Sequence, residues 1–171
     1  MHIHQPTPSE YNDYYKTYID QVEGDSILVG LQNGLEAIMT FFNAIPVEKH
    51  DYRYEASKWT PKEILLHIID TERVFAYRAL QFARSEGAVL KGFDQNEFAK
   101  NAAANARSME DLLDEYAAVR MANLHFAKSC SDETWPRMGE ASGSPLSVRA
   151  AFCIIIGHEI HHLSVIEERY L

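Results

Sequence analysis

One pattern constrains this chain more than any other. Apolar residues return at helical spacing four times, while the period-two alternation of strands is almost absent. Such a chain must bury four amphipathic stripes, and the ready solution is an all-α four-helix bundle. The first stripe, Ile27, Leu28, Leu31, Leu35, Ile38, Met39, Phe42 and Ile45, predicts a helix from Asp25 or Ser26 to about Ile45. Ahead of it, residues 1–22 read as an extension or a short helix. Tyr11, Tyr14, Tyr15, Tyr18 and Ile19 give that segment a sticky face, and Gly24 sets it apart.

The second helix announces its own start. Thr60-Pro61-Lys62-Glu63 is a capping box with proline at the first helical position, opening a helix to about Glu86 that stops at Gly87. Ser108 caps a third helix from Met109 to about Ser129. The stretch Ser131 to Ser144, with Pro136, Gly139 and Gly143, reads as a loop. Ser144-Pro145 or Ser147 opens the fourth helix, which continues nearly to Leu171. Gly87 to Arg107, with a short helix near Asp94 to Asn101, is long for a turn and predicts a crossover connection. At 171 residues the whole of 1–171 reads as a single domain whose core needs no staples.

Composition narrows the function. A formal net charge of −9 argues against nucleic acid or an anionic membrane as partner. The N-terminus has no signal-peptide core, and no run of about 18 apolar residues marks a membrane span. The expected location is cytoplasmic, with Cys130 and Cys153 reduced. Two cysteines exclude a disulfide scaffold and any all-thiolate metal site, so a metal site here would use imidazole and carboxylate.

The chain has eight histidines. His158 and His162 are four apart, the spacing that stacks two imidazoles on one helix face. At about 100° per residue, His162 lies near +40° from His158 and His161 near −60°. His162 shares its side with Val148, Ala151, Ile155 and Ile166, a core stripe, whereas His161 shares a flank with Ala150, Gly157 and Glu168. On the second helix His67 sits with Ile64, Thr71, Val74, Phe75, Arg78 and Phe82, a mixed face suited to lining a polar pocket. The opposite face, Leu65, Ile69, Ala76, Leu80 and Ala83, is plainly apolar. His125 is a reserve candidate; His2, His4 and His50 fall in loops. On residues alone, an H-x-x-x-H pair is as often incidental as metal-binding, and a lone His67 is commonly a hydrogen-bonded interior histidine. Three neutral imidazoles suit Zn, Ni, Fe(II) or Cu(II).

These segments resemble a known family. Trp59-Thr60-Pro61-Lys62-Glu63, Leu66-His67-Ile68-Ile69-Asp70, Glu72-Arg73 and Arg78-Ala79-Leu80 resemble the second helix of the DinB/YfiT-like superfamily. Gly157-His158-Glu159-Ile160-His161-His162-Leu163 and Glu168-Arg169-Tyr170-Leu171 resemble its fourth. Gly92-Phe93-Asp94-Gln95 and Val119-Arg120 fit its metal-dependent hydrolase branch. The resemblance implies a bundle of unusual connectivity, often a homodimer, with a divalent ion (nickel, zinc or iron) held by His67, His158 and His162. It also implies a small-molecule substrate and either hydrolysis or S-transfer, the latter with a low-molecular-weight thiol as co-substrate. A bundle in which the metal only staples helices, with a binding or stress role, is the alternative.

Three protein ligands leave a coordination position open, as catalytic sites do. A water or thiol there would ionise near neutral pH, so both chemistries fit one site. Arg78, about 16 Å along the axis from His67, is a candidate for an anionic part of the substrate or for an ordinary salt bridge. Asp70 is a candidate acceptor for a ligand imidazole or a partner of Arg73 or Arg78, and Thr71 lies between them on the pocket face. Glu159 lies off the ligand face, which argues against the general base of H-E-x-x-H enzymes. Ile156, Ile160 and Leu163 form a second apolar face on the fourth helix, expected to meet the N-terminal segment or another subunit.

Overall fold

The computed structural model describes residues 5–24, 26–85 and 87–171. Its α-helices are α1 (Lys16–Ile19), α2 (Ile27–Ala44), α3 (Pro61–Arg84), α4 (Gln95–Asn101), α5 (Met109–Ser129) and α6 (Val148–Tyr170). Three short strands, β1 (Val89–Leu90), β2 (Met138–Ala141) and β3 (Ser144–Ser147), form one small sheet. The long helices start where a side chain satisfies an orphan backbone donor. Ser26, Ser108 and Ser147 accept from Val29, Asp111 and Ala150. In the α3 box, Thr60 Oγ1 accepts from the Glu63 amide at 3.1 Å and Glu63 accepts from the Thr60 amide at 2.7 Å. The alternative start at Asp25 and the expected last residue Glu86 lie outside the described residues.

Four helices, α2, α3, α5 and α6, make the bundle, and their main contacts are α3 with α6, α2 with α5, α3 with α5 and α2 with α6. Around the bundle the order is therefore α2, α5, α3, α6, so the chain crosses a diagonal from α2 to α3 and again from α5 to α6. The start of α3 lies by the end of α6, where the Tyr170 hydroxyl donates to Trp59 O at 2.6 Å. At the far end, Arg137 donates to Ala83 O at 2.7 Å just before α6 begins. These two helices are antiparallel. In contrast α3 and α5 run the same way, Thr60 meeting Asn105 near their starts and Arg84 stacking on Phe126 near their ends. The segment joining them must return the length of α3, about 36 Å for its 24 residues. This is the crossover that the long link predicts, and it carries β1 and α4 back along the bundle.

The bundle is pinned inside by a charged network. Arg120 on α5, fully buried, donates to both oxygens of Glu72 on α3 at 2.8 and 2.9 Å and to Glu159 on α6 at 2.5 Å. It also donates to the carbonyl of Leu31 on α2 at 2.9 Å, and the Tyr116 hydroxyl donates to Glu159 at 2.9 Å. One guanidinium thus touches all four helices. Glu159 belongs to this network, which removes it from any role as general base.

The structure departs from the sequence expectations in three places. The segment expected to be a loop from Ser131 to Ser144 holds strand β2, paired antiparallel with β3, and β2 also pairs parallel with β1 of the crossover. The two-residue turn between β2 and β3 is Ser142-Gly143, with φ of 55° and 74°, the double positive φ of a tight hairpin. Met138-Gly139-Glu140-Ala141 lacks the β-branched residues that mark a strand, so pairing rather than propensity makes it. Ser144-Pro145 lies in β3, and α6 starts from the Ser147 cap. Finally, Leu80, on the plainly apolar face of α3, is 40% exposed.

By length and composition α6 is apolar enough to cross a membrane, but most of it is buried within the bundle, as in a core helix. Its second apolar face meets α2, where Ile156 packs directly over Gly30, and the N-terminal segment lies against the same helix through α1. Cys130 and Cys153 are free and buried, and burial pushes the Cys153 thiol up to about 12.

Candidate metal centre and its pocket

His67 projects from α3, and His158 and His162 from α6, into one point. His158 Nε2 lies 3.0 Å from His67 Nε2 and 3.0 Å from His162 Nε2, and the three donor atoms all fall within 4.8 Å of one another. The rings stand nearly edge to face, with interplanar angles of 69°, 85° and 82°. This is a tripod of three imidazoles aiming one nitrogen each at a common centre.

Proton bookkeeping makes the arrangement unusual. A neutral imidazole nitrogen offers one proton or one lone pair. His158 Nε2 therefore cannot form two good hydrogen bonds to two other Nε2 atoms. Charging the rings is no remedy. Burial holds His67 down to about 4, and burial together with the neighbouring imidazoles holds His162 down to about 3 and His158 well below the ordinary range. All three are neutral at pH 7, with lone pairs free to converge on a cation. Metal–imidazole bonds of about 2.0–2.1 Å put adjacent donors about 3 Å apart at right angles and about 3.4 Å apart in a tetrahedron. The two 3.0 Å spacings to His158 Nε2 match that geometry for a divalent ion. Among the described residues, no carboxylate or cysteine joins this cluster.

Support behind the imidazoles is uneven. The Thr71 hydroxyl stands 3.4 Å from His67 Nδ1, and the Trp59 ring lies 4.7 Å from the imidazole ring. His162 Nδ1 is buried with no hydrogen-bond partner. Asp70 contacts Arg73 at 3.4 Å, and neither Arg78 nor an imidazole is its partner. It lines a nearly closed cavity of about 10 Å³ beside His67. His161 is half-buried against the Tyr18 ring and outside the tripod, and His125 is exposed on α5.

One side of His158 opens into a cavity of about 200 Å³. Its walls are Thr71, Phe75 and Arg78 of α3, Phe93 and Gln95 of the crossover, and Ser142 of the hairpin turn, together with Ile154 of α6 and Tyr14, Tyr15 and Tyr18. The tyrosines reach it because the chain at Tyr18 lies directly on α6. A Cβ at Gly157 would stand 1.9 Å from Tyr18 O, so only glycine permits the approach. Sequence reasoning reached Thr71 and Arg78 but read the tyrosines merely as a sticky face. It did not place Phe93 or Ser142 at the site, because no local pattern reports a contact made across the fold.

The chain belongs to the DinB superfamily, whose family model matches residues 31–166. Among solved structures it is similar to YfiT from Bacillus subtilis, described as a probable metal-dependent hydrolase with an unusual four-helix bundle topology. That likeness has a TM-score of 0.73 at 14% identity, covering 97% of this chain and 91% of that one. No curated protein matches the chain.

Proposed function

We propose that this protein is a metal-dependent enzyme acting on a small molecule, with His67, His158 and His162 holding a divalent ion. The single observation that carries this is three neutral imidazole nitrogens converging at the head of a cavity. When bound, such an ion would supply the Lewis acidity that ionises a water or a thiol near neutral pH. Thr71 orients the His67 ring, the buried walls keep the imidazoles unprotonated, and Tyr18 bounds the open side. Burial raises the Tyr18 hydroxyl to about 12, so it stays a proton donor at neutral pH. Both cysteines are buried, so a sulfur nucleophile would come from a thiol co-substrate and not from the chain.

Hydrolysis and thiol S-transfer both suit this site, with nickel, zinc or iron as the ion. We retain a homodimer and a cytoplasmic location as parts of the proposal. The alternative, a non-catalytic bundle stapled by its metal, draws on the tripod spanning α3 and α6. Elemental analysis of the purified protein and of His67→Ala, His158→Ala and His162→Ala tests the site. Each variant should lose the ion, and full occupancy in all three would end the proposal. Consumption of a small thiol with a bimane or an epoxide, run beside ester and amide hydrolysis, separates the chemistries. A metal-loaded protein inert in every assay would favour the staple.

A further inference from the structure

Arg78 is the other buried oddity of the cavity. Its side chain is 2% exposed, yet among the described residues no carboxylate pairs with it. This in a chain with 25 acidic residues is a choice of position rather than a shortage of partners. Phe75 and Phe93 cover the guanidinium at 4.8 and 5.8 Å from their ring centroids. The Ser142 hydroxyl takes one N–H at 2.9 Å. A guanidinium has five N–H donors, and one that is buried without a counter-charge is costly. Stacking leaves its edge as the face a ligand can use, and that edge matches the planar fork of a carboxylate.

We infer that the cavity takes a small carboxylic acid, its carboxylate held by Arg78 and Ser142 and its reacting end turned toward His158. Among the described lining residues Arg78 is the only cation, so in the metal-free protein one negative charge balances it and a phosphate dianion would be left in excess. At about 200 Å³ the cavity is below the size of drug-like pockets, which begin near ~300 Å³, so the acid is small. The aromatic walls suit an apolar body between the two ends.

The inference rests on the metal-site reading only for the direction in which the reacting end points. Calorimetry on the metal-free, full-length protein therefore tests it independently, with 3-phenylpropanoate as probe and 3-phenylpropanol as its uncharged twin. The acid should bind about tenfold more tightly or better, as a hydrogen bond to a charged group provides. Arg78→Met should erase that preference, and Arg78→Lys should keep part of it. Ser142→Ala, at an exposed turn that α3 and α6 do not depend on, should weaken the acid by about threefold. Equal binding of acid and alcohol, no binding of the acid, a preference surviving Arg78→Met, or tighter binding of phenyl phosphate would each overturn the inference. None of these bears on metal uptake. A protein that keeps the preference but takes up no metal would instead overturn the histidine site alone.

Discussion

Two buried polar clusters lie side by side on α3 and α6 and obey opposite rules. Around Arg120 every group is hydrogen-bonded: two carboxylates, a carbonyl and a phenol surround one guanidinium. Burial opposes the charge of Arg120, but Glu159 and Glu72 more than restore it. In the histidine tripod little is answered: three nitrogens meet nose to nose, His162 Nδ1 has no partner, and only His67 Nδ1 has a hydroxyl, that of Thr71, within reach. A satisfied cluster holds helices together, whereas a self-frustrated one is held by them. The teaching is that burial alone does not separate structural polar groups from functional ones; the pairing does.

The largest effect is expected at Arg120. Arg120→Met leaves Glu72 and Glu159 buried without a cation and should cost about 3–5 kcal/mol in denaturant unfolding. A cost under about 1 kcal/mol would show that the network is not what ties the bundle. The tripod should behave the other way, stabilised from outside. At nickel or zinc concentrations a hundredfold above Kd, the folded state should gain about 2.7 kcal/mol, or about 5–10 °C in Tm. His158→Ala should abolish the gain, and an unchanged metal-induced shift in that variant would refute the site.

A smaller effect is in the proton balance of the metal-free protein. In the folded state His67 titrates at about 4 and His162 at about 3, against an ordinary 6.5. As pH falls below about 6.5 the unfolded chain takes up protons that the folded chain refuses. Stability therefore falls from pH 6.5 toward pH 4, by up to about 1.4 kcal/mol per pH unit for each histidine. Urea unfolding at several pH values should show a shallower fall for His67→Ala, and parallel curves would contradict the burial argument. Weaker again is Thr71→Val, expected to reduce metal affinity by about tenfold while leaving the fold intact. At the bottom of the scale, His161→Ala and His125→Ala should leave metal occupancy unchanged; loss of the ion from either would put the ligands elsewhere.

The helices were legible because each is specified locally. Thr60, Ser108 and Ser147 cap where sequence chemistry says they cap, and the apolar stripes repeat at 3.6 residues. The position of His158 and His162 on one face follows from spacing alone, and their meeting with His67 required only that two helices touch. The Arg120 network was missed, although Arg120 interrupts the stripe of Leu113, Tyr116, Leu124 and Ala127 at helical spacing, which is a readable sign of a buried charge. The hairpin was missed for a different reason. Its strands are made by pairing with each other and with the crossover, so their own residues carry little propensity. The cavity walls come from five segments far apart in sequence, and nothing local announces them.

The Ser142-Gly143 turn has one more consequence. It is exposed and outside both ligand helices, yet Ser142 reaches Arg78 at the cavity wall. Ligand choice can thus be rewritten by lengthening or recolouring a surface turn while the machinery beneath it stays fixed. For directed evolution of this scaffold, that turn is the first place to randomise.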